Sequence, residues 1–367
     1  MGVGIAEDLG AQSKAGAVRV ALGKAWTLLG PFLGLVLITG LFAFLTRDSG
    51  TFLTAYTWRT IAVQTVIVGT AALGMTAIMI AGGIDLSVGS AVALVTVVIA
   101  TAANGATIAM PESLLTLPMP PALAGAELHL PKVPLAVALV GGVLLGGICG
   151  LVNGGLITGL GVVPFIITLG TLKVFRGAAK WISGNNTVNI AAADRPWWME
   201  RVVMIEPEPR WLIVAPGVWM LLILSALLAL ALRYSLLGRY VYAVGSNEST
   251  ARLCGIGVPR VKLAVYGLAG LLVGLAGVMQ FLQLTVGDPT TADGLELQVI
   301  AAVVIGGGSL SGGEGTVLGT LIGCLIIAVL NAGCTHAGIP NATQDVIIGA
   351  IIVAAVALDR LRRRRGA

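Results

Sequence analysis

Asp85 is the residue whose setting most suggests chemistry. It lies in GMTAIMIAGGIDLSVGSAVAL, Gly74–Leu94, a carboxylate among apolar residues. A carboxylate at membrane depth is costly and marks a functional site by default. The alternative is that Asp85 caps the helix beginning at Leu86 by accepting hydrogen bonds from amides just downstream. Gly82-Gly83 loosens the backbone and Ser87 and Gly89 open a new apolar run, so the segment reads as a broken or re-entrant helix. Neutral polar residues that interrupt or border apolar runs are the other candidates for a solute path: Asn153, Thr168, Thr171, Asn331 and Gln344. Each could equally serve as interhelical hydrogen-bonding glue.

Covalent chemistry has little to work with. The chain holds two histidines, His129 and His336, and no obvious catalytic base. Its four cysteines, Cys149, Cys254, Cys324 and Cys334, show no CxxC or Cys/His ligand spacing, so neither a metal site nor a disulfide framework is expected. No catalytic residue is assigned. Leu310–Gly313 spells LSGG, but it follows an apolar run and no GxxxxGK[ST] phosphate loop is present, so any ATP chemistry must come from another polypeptide.

A second chemical feature is the polar, basic island from Arg233 to Lys262, RYSLLGRYVYAVGSNESTARLCGIGVPRVK. Ser246 or Asn247 can cap a short helix, Glu248 suits its positive end and Arg252 its negative end. Gly255 can terminate it and Pro259 prevents its continuation. Ala251 and Ile256 supply small apolar contacts. So short a helix has little stability of its own and needs the adjacent spans or a partner groove to hold it. An ordinary basic cytoplasmic loop would show the same charge pattern.

The elements that position these residues follow from composition. With 57% hydrophobic and 11% charged residues and a mean hydropathy of +0.97, this is an all-α polytopic membrane protein. Its 51 glycines favour close helix–helix approach and interrupted helices. Apolar runs predict about ten spans, near 28–46, 60–81, 87–108, 133–152, 155–174, 212–232, 261–285, 292–307, 315–333 and 343–359. Residues 1–27 form an amino-terminal segment, 28–359 the transmembrane domain and 360–367 a basic tail.

Placing both termini in the cytoplasm gathers Lys14, Arg19, Lys24, Arg233, Arg239, Arg252, Arg260, Lys262, Arg360 and the Arg362–Arg365 run on one side. Two outer loops are long. Residues 109–132 are proline-rich, which favours an irregular cap over a further span. Residues 175–211 carry Trp181, Trp197, Trp198 and Trp211, an interfacial shelf that would anchor in lipid. A second glycine interruption, VVIGGGSLSGGEGTVLG from Val303 to Gly319, repeats the pattern around Asp85. Paired interruptions in two halves suggest a repeated transporter architecture with a path between them.

Four segments carry a resemblance: AGGIDLSVGS (Ala81–Ser90), NGGLITGLGVVPFIITLGTLKVFRG (Asn153–Gly177), GRYVYAVGSNESTARLCGI (Gly238–Ile256) and ELQVIAAVVIGGGSLSGGEGTVLGTLIG (Glu296–Gly323). In order and spacing the chain resembles the permease subunit of ribose/xylose/galactose-type bacterial ATP-binding-cassette importers, in the branched-chain-amino-acid/monosaccharide permease superfamily. The resemblance implies about ten helices paired with a second copy or a close paralogue. It also implies cytoplasmic ATPase subunits that bring ATP and Mg, a periplasmic sugar-binding protein, and a place in the bacterial inner membrane. No cofactor is expected in this chain and no nucleic-acid partner.

The resemblance further makes residues 233–260 the cytoplasmic coupling loop, with Gly245, Asn247, Glu248, Ala251, Arg252, Gly255 and Ile256 facing the ATPase. Ser246, Ser249, Thr250 and Cys254 depart from the residues more usual there, which leaves the cognate ATPase open. Two other readings stay available: an ion-coupled secondary transporter using Asp85, and an intramembrane enzyme, for which the catalytic constellation is missing.

Overall fold

A computed structural model describes residues 30–48, 50–109, 127–191, 195–207 and 212–366. The amino-terminal basic residues, most of the proline-rich outer loop, Asp194 and Trp211 lie outside them. Helices occupy each of the ten segments that the apolar runs mark. They are α1 (Gly30–Leu45), α2 (Ala55–Ile80), α3 (Val88–Asn104), α4 (Leu135–Leu160), α5 (Pro164–Ile182), α6 (Pro216–Tyr234), α9 (Val258–Leu284), α10 (Leu295–Ile305), α11 (Val317–His336) and α12 (Asn341–Gly366). Two shorter helices, α7 (Leu236–Ser246) and α8 (Glu248–Leu253), fill the basic island. Among the described residues five helices are long and apolar enough to cross a membrane: α2, α4, α6, α9 and α11.

Local chemistry sets the boundaries. Thr54 caps α2 by accepting from the Thr57 amide, and Thr316 caps α11 by accepting from the Gly319 amide at 3.1 Å. Pro164, Pro216 and Pro259 each stand in the first turn of their helices, where a missing N–H costs nothing.

The predicted break between the fourth and fifth spans, at 152–155, is corrected. Helix α4 runs through Asn153-Gly154-Gly155 to Leu160, and the turn falls at Gly161–Val163 just before Pro164. Asn153 and Gly154 interrupt hydropathy without interrupting the helix, because they face neighbouring chain segments instead of lipid. The third span ends at Asn104, short of the expected 108, and a strand Ala106–Ala109 (β1) then pairs antiparallel with Glu127–Leu130 (β2). A second small pairing joins Val188–Asn189 (β3) to Val286–Gly287 (β4). The last helix continues past the expected 359 to Gly366.

Helix α2 is the axis of the bundle, touching α6, α9, α10 and α11, and 89% of its apolar window is buried against 28% for α6. Its threonines return their hydroxyls to backbone: Thr65, Thr70 and Thr76 each bond the carbonyl four residues back at 2.6–2.7 Å. These hydroxyls are thus satisfied inside the apolar interior. The tightest helix pair is α4 on α9. A Cβ added at Gly146, Gly150, Gly270 or Gly274 would collide with the opposing backbone, so this is a small-xxx-small contact of membrane type. The outward faces of α4 and α6 expose Val137, Val140, Leu144, Ile148, Ile223 and Leu227, an apolar perimeter suited to acyl chains.

The bundle has two distinct ends. At one, Arg59 of α2 donates to the Ile213 carbonyl, Asn104 to the Asn189 carbonyl, and His336 sits 3.1 Å from the Thr51 hydroxyl. The Trp197 ring, with the Arg201 guanidinium over it at 4.8 Å, is exposed there. At the other end, residues 81–87, α7, α8 and the 306–316 loop come together.

Candidate functional site

The basic island folds as a pair of short helices. Asn247 ends α7 and caps α8, its Oδ1 accepting from the Thr250 amide at 2.9 Å. Glu248, in the first turn, takes Arg252 on Oε1 at 2.6 Å and Lys262 of α9 on Oε2 at 2.7 Å. Lys262 and then Arg252 hold its carboxyl below the ordinary glutamate range. The helix stops before Gly255, whose φ of +81° suits a residue without Cβ. The Lys262 pair staples α8 to the start of α9 and the Arg252 pair braces α8 along its own length, the support a six-residue helix needs.

Of the residues expected to face a partner, Asn247, Arg252 and Gly255 are exposed and Glu248 and Ile256 half-buried. Ala251 packs inward, buried against the bundle. Leu253, which sequence reasoning passed over, is 89% exposed at the helix tip. Beside it runs a groove of about 420 Å³ lined by Leu236, Tyr240, Ile256 and Arg260.

Gly245 ties this pair of helices to the rest. A Cβ there would overlap the Ile80 carbonyl oxygen at the end of α2 and crowd the Gly313 amide. The Gly313 amide itself donates to that Ile80 carbonyl at 2.9 Å, and the Tyr242 hydroxyl donates to the Gly315 carbonyl at 2.9 Å. Both glycine interruptions therefore meet at one point, and α7 touches each of them.

Asp85 belongs to the same end. Its Oδ1 accepts from the Ser87 amide at 2.8 Å and the Ser87 hydroxyl at 2.6 Å. Asn153 of α4 donates to the Ser87 Oγ at 2.8 Å and lies 3.3 Å from Asp85 Oδ2. Thr168 of α5 and Tyr266 of α9 donate to the neighbouring Ile84 carbonyl at 3.3 and 3.4 Å. Thr171, one turn on, bonds the Thr168 carbonyl at 3.3 Å. Asp85, Ser87, Asn153, Thr168 and Tyr266 thus fasten four segments of chain in one buried cluster, with Thr171 beside it bonding only within α5. The bonds to Ser87 are those of a turn ahead of α3, with the carboxylate holding the amide two residues on.

A different set lines a separate cleft. It measures about 250 Å³ and is bounded by α2, α9, α10 and α11, with Gln64, Gln280, Gln283, Gln298 and Asn331 on its walls and Asp293 at its edge. That lies just under the ~300 Å³ lower end of small-molecule pockets. Carboxamides each offer donors and an acceptor, the chemistry that matches hydroxyl groups of an uncharged polyol. Among the expected path residues only Asn331 is here. Gln344 instead bonds the Ile339 carbonyl at 2.9 Å at the start of α12. The glutamines carried a signal in the sequence: Gln280 and Gln283 stand three apart on one face of an apolar run. The cleft and the Asp85 cluster are far apart, since Gln64 precedes Ile80 by sixteen residues of α2, about 24 Å of helix. Among the described residues no group of His, Cys, Asp and Glu could hold a metal ion.

A family model described as branched-chain amino acid transport system / permease component matches residues 58–356. The chain belongs to this permease family. The permease is 33% identical over 346 residues to the ribose import permease of Escherichia coli (strain K12), spanning 93% of this chain and 96% of that protein. It is 36% identical over 332 residues to the ribose import permease of Bacillus subtilis (strain 168), spanning 90% and 92%. Against the D-allose transport system permease of E. coli (strain K12) identity is 34% over 336 residues, spanning 92% of each. No solved structure matches. With its apolar helices, the permease is a multi-pass membrane protein and a transport subunit, not an enzyme.

Proposed function

We propose that this permease is the membrane subunit of an ATP-driven monosaccharide importer in the bacterial inner membrane, with about ten spanning segments and both termini cytoplasmic. The observation that carries the reading is the carboxamide cleft, a polar wall in a bundle whose outer faces are apolar. Gln64 and Gln283 are exposed on helices of low polarity, and polar surface of that kind is stable in a membrane where it lines a water-filled path or meets a partner. A second copy or a paralogue would close the open side. The sugars named for the relatives, ribose and D-allose, are neutral polyols whose hydroxyls a wall of carboxamides can hydrogen-bond.

The exposed side of α8, with Asn247, Arg252, Leu253 and Gly255, would receive a cytoplasmic ATPase that holds ATP and Mg. A periplasmic sugar-binding protein would deliver substrate at the opposite end. Motion of α8 would reach the cleft through Gly245, because the same contact fixes the end of α2 and the loop between α10 and α11. Three of the four cleft helices then move with it, which suits rigid-body alternation of access.

The test is ATP-driven uptake of labelled monosaccharides in proteoliposomes holding this chain with its cognate ATPase and binding protein. Uptake that needs all three proteins is expected. Uptake by this chain alone, driven by an ion gradient, would overturn the reading and turn attention to Asp85.

A further inference from the structure

The loop between α9 and α10 carries two cleft residues, Ala292 and Asp293, and its shape is not one the chain would adopt unaided. Ala292 has a φ of +56°, a left-handed conformation that L-residues with a Cβ avoid and that persists where the surroundings enforce it. Asp288 holds the start of the loop by accepting from the Thr290 amide and hydroxyl at 2.8 and 2.7 Å, and Arg176 of α5 grips it from another helix. Its guanidinium donates from one nitrogen to the Pro289 carbonyl at 2.9 Å and to the Thr291 carbonyl at 2.7 Å. Its other terminal nitrogen lies 3.7 Å from Asp293. The side chain is 13% exposed, so these bonds are little diluted by water. Gln280, itself on the cleft wall, donates to the Thr291 hydroxyl at 3.1 Å. On the far side Ala292 lies against Gly89, where a Cβ would collide with its carbonyl oxygen.

We propose that Arg176 is the positioning residue of the cleft: by gripping the 288–294 loop through the Pro289 and Thr291 carbonyls, it holds Asp293 and Gln280 where a passing sugar meets them, without touching the sugar. A planar guanidinium grips both carbonyls with one nitrogen and faces Asp293 with the other, whereas a lysine has a single nitrogen for all three. The proposal rests on the transport reading above, and its test separates the two.

The first arm uses the complete importer in proteoliposomes. Arg176→Met is expected to lower sugar uptake by about fivefold or more, because a site held loosely loses function before its fold, while ATP hydrolysis by the partner persists. Arg176→Lys is expected to fall between. Unchanged uptake in Arg176→Met overturns the proposal. So does a parallel loss of uptake and hydrolysis in an assembled complex, which marks a general structural role.

The second arm needs no partner. Asp293→Cys in the purified permease is labelled with a membrane-impermeant maleimide, and the rate is expected to rise when Arg176 is replaced by Met. If that double variant does not fold, Arg176→Lys with Asp293→Cys decides, a faster rate supporting the grip and an equal rate overturning it. Should the unaltered complex show no ATP-driven uptake, the transport reading fails and the labelling arm still tests Arg176.

Discussion

At the α8 end of the bundle, backbone lies on backbone. Gly245 meets the Ile80 carbonyl and the Gly313 amide with no side chain between, and the buried Asp85–Ser87–Asn153 cluster locks the next turn. At the cleft end, side chains stand apart around open volume, and Gln64, Gln283 and Gln298 leave their amides available to a solute. In the proposed function the first end would transmit a displacement, since close contacts cannot compress, and the second would receive the solute. Polarity therefore differs between the two regions: near Asp85 it is buried and mostly hydrogen-bonded, with Asn153 Oδ1 the exception, and at Gln64 and Gln283 it is exposed.

The largest effect is expected at the packed end. Gly245→Val forces a branched side chain into the Ile80 carbonyl, overpacking that costs ~1–3 kcal/mol or more, and near-complete loss of uptake is expected; normal uptake would break the distinction between the ends. Next is Asp85. Asp85→Ala strands the buried Ser87 amide and should lower the stability of the purified permease by about 1–3 kcal/mol, read as a shift in thermal unfolding. Asp85→Asn keeps an acceptor for that amide and is expected to retain most uptake. Abolition of uptake by Asp85→Asn in a normally folded chain would make Asp85 a charge-carrying transport residue.

Smaller effects are expected at the cleft. Gln298→Leu removes one hydrogen-bonding group, worth about 0.5–1.5 kcal/mol, and should slow uptake roughly two- to tenfold with thermal stability unchanged, whereas Gln280→Leu also loses its bond to the Thr291 hydroxyl and should lower stability by about 0.5–1.5 kcal/mol besides. The smallest is Glu248. Its lowered pKa means that the pairs with Lys262 and Arg252 stabilise α8 fully above the ordinary glutamate value of 4.5, and that this is lost as pH falls through the lowered value. Both partners are partly exposed, so Glu248→Gln should cost no more than about 1 kcal/mol. The protection of α8 amides, measured against their intrinsic exchange rate at each pH, should then be as low in that variant at neutral pH as in the unaltered chain in acid.

The sequence made the packed end largely readable and the cleft hardly at all. Caps, charges and stops around α8 are local signals, so Asn247, Glu248 and Gly255 could be given their places from a few neighbours each. The two glycine interruptions were visible as breaks, although nothing in either one said that they touch. Hydropathy placed the ten helical segments and misplaced one turn, where Asn153-Gly154-Gly155 imitate a break inside α4. The cleft escaped because Gln64, Gln280, Gln298 and Asn331 come from four different helices and have no local mark beyond being polar in apolar runs. What unites them is the packing of α2 against α9, α10 and α11, which no single segment encodes.

The most direct test compares Arg252→Glu with Gln280→Leu in the same proteoliposomes, reading sugar uptake and ATP hydrolysis together. Arg252→Glu is expected to lose uptake together with sugar-dependent hydrolysis, because the ATPase no longer engages α8, and Gln280→Leu to slow uptake while hydrolysis continues. Undiminished uptake with Arg252→Glu, or equal loss of both activities with Gln280→Leu, would contradict the division between the two ends.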